Sequence, residues 1–147
     1  MTNQVREQIK RLSTVGRDIF VSSVDEQGFP NTKCMFRCKQ EGLSTFYFST
    51  NTSSVRVGQY RSNPRACLYF PDATGFHALM LVGEMAVLTD AASKQMLWKP
   101  GDEMYYPLGV TDPDYCVLKF SALRGNYYHG SDTEFIKEWF DIAEMEI

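Results

Sequence analysis

The sequence has few of the features from which metal sites, membrane anchors and nucleic-acid surfaces are built. Only two histidines occur, His77 and His129, and neither has a cysteine nearby at metal-ligand spacing. No apolar run is long enough to span a membrane, and the first residues lack the apolar core of a signal peptide. The net charge of −3 is too small to favour nucleic acid or an anionic membrane. We therefore expect a cytoplasmic protein with no metal, membrane or nucleic acid among its partners.

Common catalytic motifs are also absent: the sequence contains no G-x-S-x-G, P-loop, G-x-G-x-x-G or H-E-x-x-H pattern. A Ser/His/Asp triad stays open, because its members come from distant positions. Haem held by one of the histidines also stays open. The acidic residues Asp112 and Asp114 are expected to lie in a solvated turn.

Nothing in the sequence indicates a disulfide framework. The four cysteines are expected to be reduced, because the other apolar residues suffice for a core. Cys34 and Cys38 are four residues apart, and on one strand they would share a face as packed thiols.

What the sequence does contain is a hydrophobic core and many strand-like runs. Its 147 residues, 44% of them apolar, predict one domain over residues 1–147. Three runs with short connections predict an antiparallel meander, at residues 19–24, 32–39 and 43–49. Further strands are expected at 66–70, 76–89 and 116–130, and Gly83 marks a bulge in the second of these. The expected fold is mainly β (α+β): a small antiparallel barrel with a few short peripheral helices.

Four helices are predicted around this barrel. Val5, Ile9 and Leu12 indicate an N-terminal helix by their spacing. A second helix has Val55 and Tyr60 on one face and ends at Asn63-Pro64. Asp90 is expected to cap a third, which ends before Pro100. A capping box of Ser131 and Glu134 predicts a C-terminal helix, with an apolar stripe at Phe135, Ile136, Trp139, Phe140 and Ala143.

The segment FSTNTSSVRVGQY, residues 48–60, stands out because six small polar residues follow an apolar strand and precede Arg56. If Thr50 to Ser54 lead into a helix, the first N–H groups of that helix and its dipole form an anion site. Hydroxyls of Thr50 and Ser54 and the Arg56 guanidinium would then contact a phosphate. The alternative is that one of residues 51–53 simply caps the helix.

The order of several such segments carries a family resemblance. They read VDEQGFPNTKCMF, FYFSTNTSSVRVGQYRSNPRACLYF, LVGEMAVLTD and DPDYCVLKFSALRGNYYHG, and together they extend from about residue 15 to about residue 130. In this order they resemble the pyridoxamine 5′-phosphate oxidase-like family of FMN-binding split barrels, and most of all its general-stress-protein branch. The resemblance implies a split β-barrel and a homodimer with FMN at the subunit interface.

The resemblance also assigns roles to particular residues. Lys33 matches a basic residue that reaches the FMN phosphate or the ring edge. Cys34, Met35 and Phe36 match the strand whose backbone lines the isoalloxazine ring. Ser49 and Thr50 match a hydroxyl pair at the end of the third strand, while Ser54 and Arg56 match the Ser and Lys/Arg of the phosphate site. Lys33, on a neighbouring strand, is thereby expected to be the second positive charge beside Arg56.

The sequence departs from the true oxidases of pyridoxamine phosphate at three places. Val55 stands where those enzymes have a second basic residue, and Ala78 stands where they have a glutamine beside the flavin. Their C-terminal Arg/His segment has no counterpart after Gly130. These departures predict that pyridoxamine phosphate is not the substrate.

The functional hypothesis is a small FMN-dependent oxidoreductase whose substrate and redox partner are unknown. Tyr127, Tyr128, His129 and Trp98 are candidates for a substrate wall, although each is equally suited to a core or an interface. Two alternatives stay open: a flavin-binding stress-response or carrier protein without turnover, and the same barrel with haem or a deazaflavin bound.

Overall fold

The computed structural model describes residues 1–72, 76–131 and 135–145. In these ranges the helices and strands are, in chain order, α1 (Asn3–Thr14), β1 (Asp18–Val24), β2 (Pro30–Phe36), β3 (Lys39–Glu41), β4 (Thr45–Asn51), α2 (Val55–Ser62), β5 (Arg65–Pro71), β6 (His77–Leu88), α3 (Ala91–Leu97), β7 (Tyr115–Gly130) and β8 (Phe135–Asp141). Short 3₁₀ helices lie at Asp102–Met104, Gly109–Thr111 and Ile142–Glu144.

The strands form one antiparallel sheet in the order β2-β1-β5-β6-β7-β4-β3, with β8 beside β7. Strand β7 has 16 residues, and along one side it pairs first with β4 and then with β8. The sheet curls into a half-barrel. The chain after β2 returns to β4, since the N–H of Cys38 donates to the carbonyl of Tyr47 at 3.0 Å. The two ends of the sheet therefore face each other across a gap.

Buried side chains form two apolar clusters on opposite faces of β4. Phe46 and Phe48 pack into the larger cluster, together with the buried residues of α1. Tyr47, on the other face, packs with Leu97 of α3 and with Tyr106 and Tyr115. Because successive residues of a strand alternate between faces, Ser49 shares the face of Tyr47.

Several predicted elements are confirmed. α1 buries Val5, Ile9 and Leu12, and Asp90 caps α3 by accepting the N–H of Ser93 at 2.9 Å. The pairing of β6 with β7 shifts register between Val82 and Gly83, at the predicted bulge. A Cβ built on Gly83 would lie 2.0 Å from the carbonyl oxygen of Ser121, so the bulge requires glycine.

The predicted C-terminal helix is wrong. Residues Phe135–Asp141 form strand β8, which pairs with the half of β7 that extends beyond β4. The physical reason is that this half of β7 would otherwise have one unpaired side. Phe140 is buried against Gly125, whereas Trp139, on the opposite face, is exposed. The proposed capping residue Glu134 lies outside the described residues.

The predicted three-strand meander is also wrong beyond its first hairpin. β1 and β2 pair as expected, but β4 pairs with β7 rather than with β2. The run expected at 32–39 ends at Phe36, because the Arg37 guanidinium donates to the carbonyls of Ser13 and Thr14 at the end of α1 and to that of Gly16 just after it. These bonds turn the chain out of the hairpin and towards β4.

Two smaller expectations also change. The apolar face of α2 contains Val57 and Tyr60 rather than Val55, which is 74% exposed. Asp112 is not solvated: it is buried, and its carboxylate accepts the backbone N–H groups of Leu108 and Asp114. Within the described ranges, no helix is both long and apolar enough to cross a membrane.

Candidate functional site

The turn between β4 and α2 leads into a helix whose N-terminus has no side-chain cap. Ser54 is the N-cap residue, but its side chain makes no capping hydrogen bond. The N–H groups before it are already used: those of Thr52 and Ser53 donate to Asp114, and that of Ser54 donates to the carbonyl of Asn51. The capping alternative at residues 51–53 is therefore not what the structure contains.

Three buried side-chain atoms at this turn have no hydrogen-bond partner among the described residues: Oγ1 of Thr52, Oγ of Ser54 and Nε of Arg56. Burying such groups without a partner costs about 1 to 3 kcal/mol each. Ser54 and Arg56 lie at the N-terminus of α2, where the helix dipole favours an anion. The local arrangement can accept a phosphate through a hydroxyl, a guanidinium and helix N–H groups.

A cavity of about 340 Å³ lies beside this turn, between the two ends of the sheet. Its walls come from β2, β4, α2 and the segment after α3. The lining residues are Arg17, Cys34, Met35, Phe36, Cys38, Ser49, Arg56, Leu97, Lys99, Asp102, Tyr105 and Tyr106. Five residues proposed from the sequence thus lie around one cavity, although β2 and β4 are far apart in the sheet: Cys34, Met35, Phe36, Ser49 and Arg56.

Three proposed residues do not line this cavity. Lys33 is exposed on β2, opposite Val21 in the strand register, and does not reach the cavity around Arg56. Thr50 is buried on the face of β4 that also contains Phe48. Ser54 is not among the lining residues, and its hydroxyl is buried at the start of α2.

Several cavity residues were missed from the sequence. Arg17 precedes β1, and its guanidinium lies 4.4 Å from the ring centre of Phe36. Lys99 and Asp102 follow α3, and the carboxylate of Asp102 accepts the backbone N–H of Lys99. No local pattern marks these residues, because only the curling of the sheet brings them to the cavity.

The cavity carries an excess of positive charge. Arg17, Arg56 and Lys99 line it, and the acidic residue among the lining residues is Asp102. An apolar cavity wall weakens solvent screening, so this excess favours an anionic ligand.

One wall of the cavity is aromatic. Tyr106 packs on Tyr115 with ring centres 4.7 Å apart, and Trp98 packs on Tyr115 at 5.4 Å. Burial raises the pKa of Tyr106 to about 12, so its hydroxyl stays protonated at neutral pH. Trp98 belongs to this packed cluster and not to the cavity lining, which fits a core role.

The other predicted wall residues lie elsewhere. Tyr127 is buried, and its hydroxyl is 2.8 Å from Nε2 of His77. The ring of His129 lies 4.7 Å from that of His77. Tyr127 and His129 line a second cavity of about 680 Å³ beside α1, which does not include the turn before α2.

All four cysteines are free thiols. The expectation that Cys34 and Cys38 pack together on one strand is wrong, because Cys34 is exposed and Cys38 follows the end of β2. Cys38 Sγ instead lies 3.7 Å from the hydroxyl of Ser49. Within the described residues, no group of three His, Cys, Asp or Glu side chains is placed to hold a metal ion.

The curled antiparallel sheet with helices outside it and a cavity between its two ends defines a mainly β split barrel. Residues 1–129 match the family described as pyridoxamine 5′-phosphate oxidase, and the chain belongs to that family. The resemblance inferred from the sequence is thereby confirmed.

Solved structures agree with this assignment. A protein from Clostridium acetobutylicum related to general stress protein 26 is 42% identical, with a TM-score of 0.82 and 99% of each chain covered. General stress protein 26 from Bacillus anthracis is 19% identical, with a TM-score of 0.69 over 92% of this chain and 99% of that one.

A pyridoxamine 5′-phosphate oxidase-related, FMN-binding protein from Nostoc punctiforme is 16% identical, with a TM-score of 0.59 over 94% of this chain and 95% of that one. At this identity the likeness shows the fold alone. A search of curated proteins found no match.

Proposed function

We propose that this protein binds FMN in the cavity between β2 and β4 and acts as a small flavin-dependent oxidoreductase. The observation that carries the proposal is the pair of buried, unpartnered atoms, Ser54 Oγ and Arg56 Nε, at the start of α2 beside a cationic cavity. A phosphate would satisfy both atoms. Membership of the family and the FMN-binding relative support the choice of cofactor.

Different residues of this chain would bind the phosphate and the ring of the cofactor. Ser54 and Arg56 would bind the phosphate, and Ser49 would line the approach to it. Cys34, Met35 and Phe36 would line the ring. The bound FMN would supply the hydride or electron transfer, while the protein orients it and limits the access of water.

The proposed assembly is a homodimer with FMN at the subunit interface. The outer face of β2, β1 and β5 supports it, because it exposes the aromatic side chains of Phe36, Phe20 and Tyr69 side by side. Neighbouring exposed aromatics are typical of a surface that a protein partner covers. Lys33 lies on the other face of β2, opposite Val21, and we propose no role for it in this chain's own cavity.

We propose that pyridoxamine phosphate is not the substrate. Val55 is exposed and provides no charge beside Arg56. Ala78 is buried between Pro71 and Tyr128 in the strand register and provides no hydrogen-bonding group towards a flavin.

An absorbance spectrum of the purified protein, with mass spectrometry of the released ligand, tests the proposal. We expect flavin bands and the mass of FMN. Loss of these bands on addition of NADH or NADPH, and their return in air, would favour an enzyme over a carrier. A Soret band, or release of a deazaflavin, would contradict the choice of cofactor.

A further inference from the structure

Asp114 makes three hydrogen bonds to the turn that leads into α2. Its Oδ1 accepts the backbone N–H of Ser53 at 2.8 Å, and its Oδ2 accepts Nδ2 of Asn51 at 2.8 Å. Its backbone carbonyl accepts the N–H of Thr52, also at 2.8 Å. One residue therefore holds three consecutive positions of the turn from 61 to 63 residues away in sequence.

Asp114 is itself held in place by a hydrogen bond to Asp112. Its backbone N–H donates to Oδ1 of Asp112 at 2.9 Å. Asp112 is buried, and its carbonyl accepts Nζ of Lys94 at 2.9 Å. Hydrogen bonds therefore run from α3 through the buried Asp112 to the turn, where the carboxylate of Asp114 makes the last, solvent-exposed bonds.

The donors that Asp114 occupies determine which donors are left for a ligand. The N–H of Ser53 and the amide of Asn51 are bonded to Asp114, whereas Thr52 Oγ1, Ser54 Oγ and Arg56 Nε are buried without partners among the described residues. Of these three, Ser54 and Arg56 lie at the start of α2. The same bonds fix the backbone just before Ser54, whose side chain makes no capping bond to the helix.

We propose that Asp114 is a positioning residue for the phosphate site: it holds the turn at residues 51–53 so that Ser54 and Arg56 face the ligand. This inference rests on the proposed binding of FMN. Asp114 does not contact the cofactor. Its loss therefore weakens recognition of the phosphate and not of the ring.

The test compares FMN with riboflavin, which lacks the phosphate, by quenching of flavin fluorescence in wild type and variants. Asp114→Ala removes both side-chain bonds, and we expect its Kd for FMN to rise about tenfold, with a change of less than about twofold for riboflavin. Asp114→Asn keeps both contacts if the Asn51 amide turns over, since one amide then donates to the other. Its Kd for FMN should return to within about threefold of wild type.

Asp25→Ala is the matched control. Its carboxylate also holds a turn, through the N–H groups of Gln27 and Phe29 and the amide of Asn31, but that turn joins β1 to β2 and is not the one before α2. It should leave the ratio of the two Kd values unchanged. If Asp114→Ala does not fold, Asn51→Ala tests the same contact, and it too should weaken FMN more than riboflavin.

The results separate this inference from the proposed function. If wild type binds no FMN, the proposed function fails and this inference fails with it. If wild type prefers FMN and Asp114→Ala or Asn51→Ala keeps the full preference, only the positioning role is overturned. Equal losses of FMN and riboflavin would likewise overturn it, because a role in general stability weakens both ligands alike.

Discussion

Arg56 is the side chain that most directly links the turn to an anionic ligand, because it lines the cavity and its Nε is buried without a partner. A charged acceptor such as a phosphate oxygen would supply the hydrogen bond that this buried nitrogen lacks. The N-terminus of α2 alone indicates an anion site less strongly than Arg56 does, since every helix has an N-terminus.

We predict that Arg56→Ala raises the Kd for FMN by about tenfold or more and changes the Kd for riboflavin much less. Arg61→Ala is the matched control, because Arg61 is an exposed arginine on the same helix that does not line the cavity. Titration by fluorescence quenching measures both constants. An equal loss of both ligands in Arg56→Ala would remove the residue from the phosphate site.

His77 is a second residue whose environment has a measurable consequence. Burial, followed by the neighbouring His129, lowers its pKa below the usual 6.5, and the nearby Asp72 opposes part of this shift. Arg11 and Tyr127 complete the groups that face it. Because the folded state favours neutral His77, the unfolded state binds more protons as pH falls below 6.5.

We therefore predict that stability decreases as pH falls through the unfolded pKa of His77 towards its lower folded pKa. His77→Gln should lose part of this dependence, because glutamine does not titrate. Urea unfolding of both proteins at about pH 7.5 and about pH 5 measures the difference. Equal changes in the unfolding midpoint for the two proteins would show that His77 does not contribute.

At the scale of elements, the pairing of β6 with β7 depends on the bulge at Gly83. The backbone of Ser121 occupies the space that a side chain at Gly83 would need. By contrast, a Cβ on Gly58, in the middle of α2, would meet nothing within 4 Å. The two glycines therefore offer a matched pair of identical substitutions in different surroundings.

We predict that Gly83→Ala destabilises the protein by about 3 kcal/mol, because the clash involves backbone that cannot move aside cheaply. Gly58→Ala should stabilise it by about 0.5 to 1 kcal/mol, as alanine is the better helix former. Denaturant unfolding of both variants measures these changes. A small effect of Gly83→Ala would show that the bulge tolerates a side chain.

Elements with a strong local signal could be predicted from sequence, and those defined by distant pairing could not. The apolar spacing of α1, the cap at Asp90 and the glycine in β6 each predict the observed structure. Phe135, Ile136, Trp139 and Phe140 fit a helical stripe about as well as a strand. The strand forms because β7 extends past β4 and offers an unpaired side, which no local pattern encodes.

At the scale of the whole molecule, the cavity exists because the sheet curls until β2 and β4 face each other. The turn before α2 could be recognised from its hydroxyls and Arg56. Arg17, Lys99 and Tyr106 could not, because their contribution depends on that curling. The bonds of Asp114 to Asn51 and Ser53 could not be predicted either, because they join residues 63 and 61 positions apart in the sequence.

Titration of the wild-type protein with FMN and with riboflavin, followed by quenching of flavin fluorescence, measures whether the cavity recognises the phosphate of FMN. We predict saturable binding of FMN and weaker binding of riboflavin, because the Ser54 hydroxyl and the Arg56 guanidinium gain partners only from the phosphate. Absence of saturable FMN binding, or equal affinity for the two flavins, would contradict it.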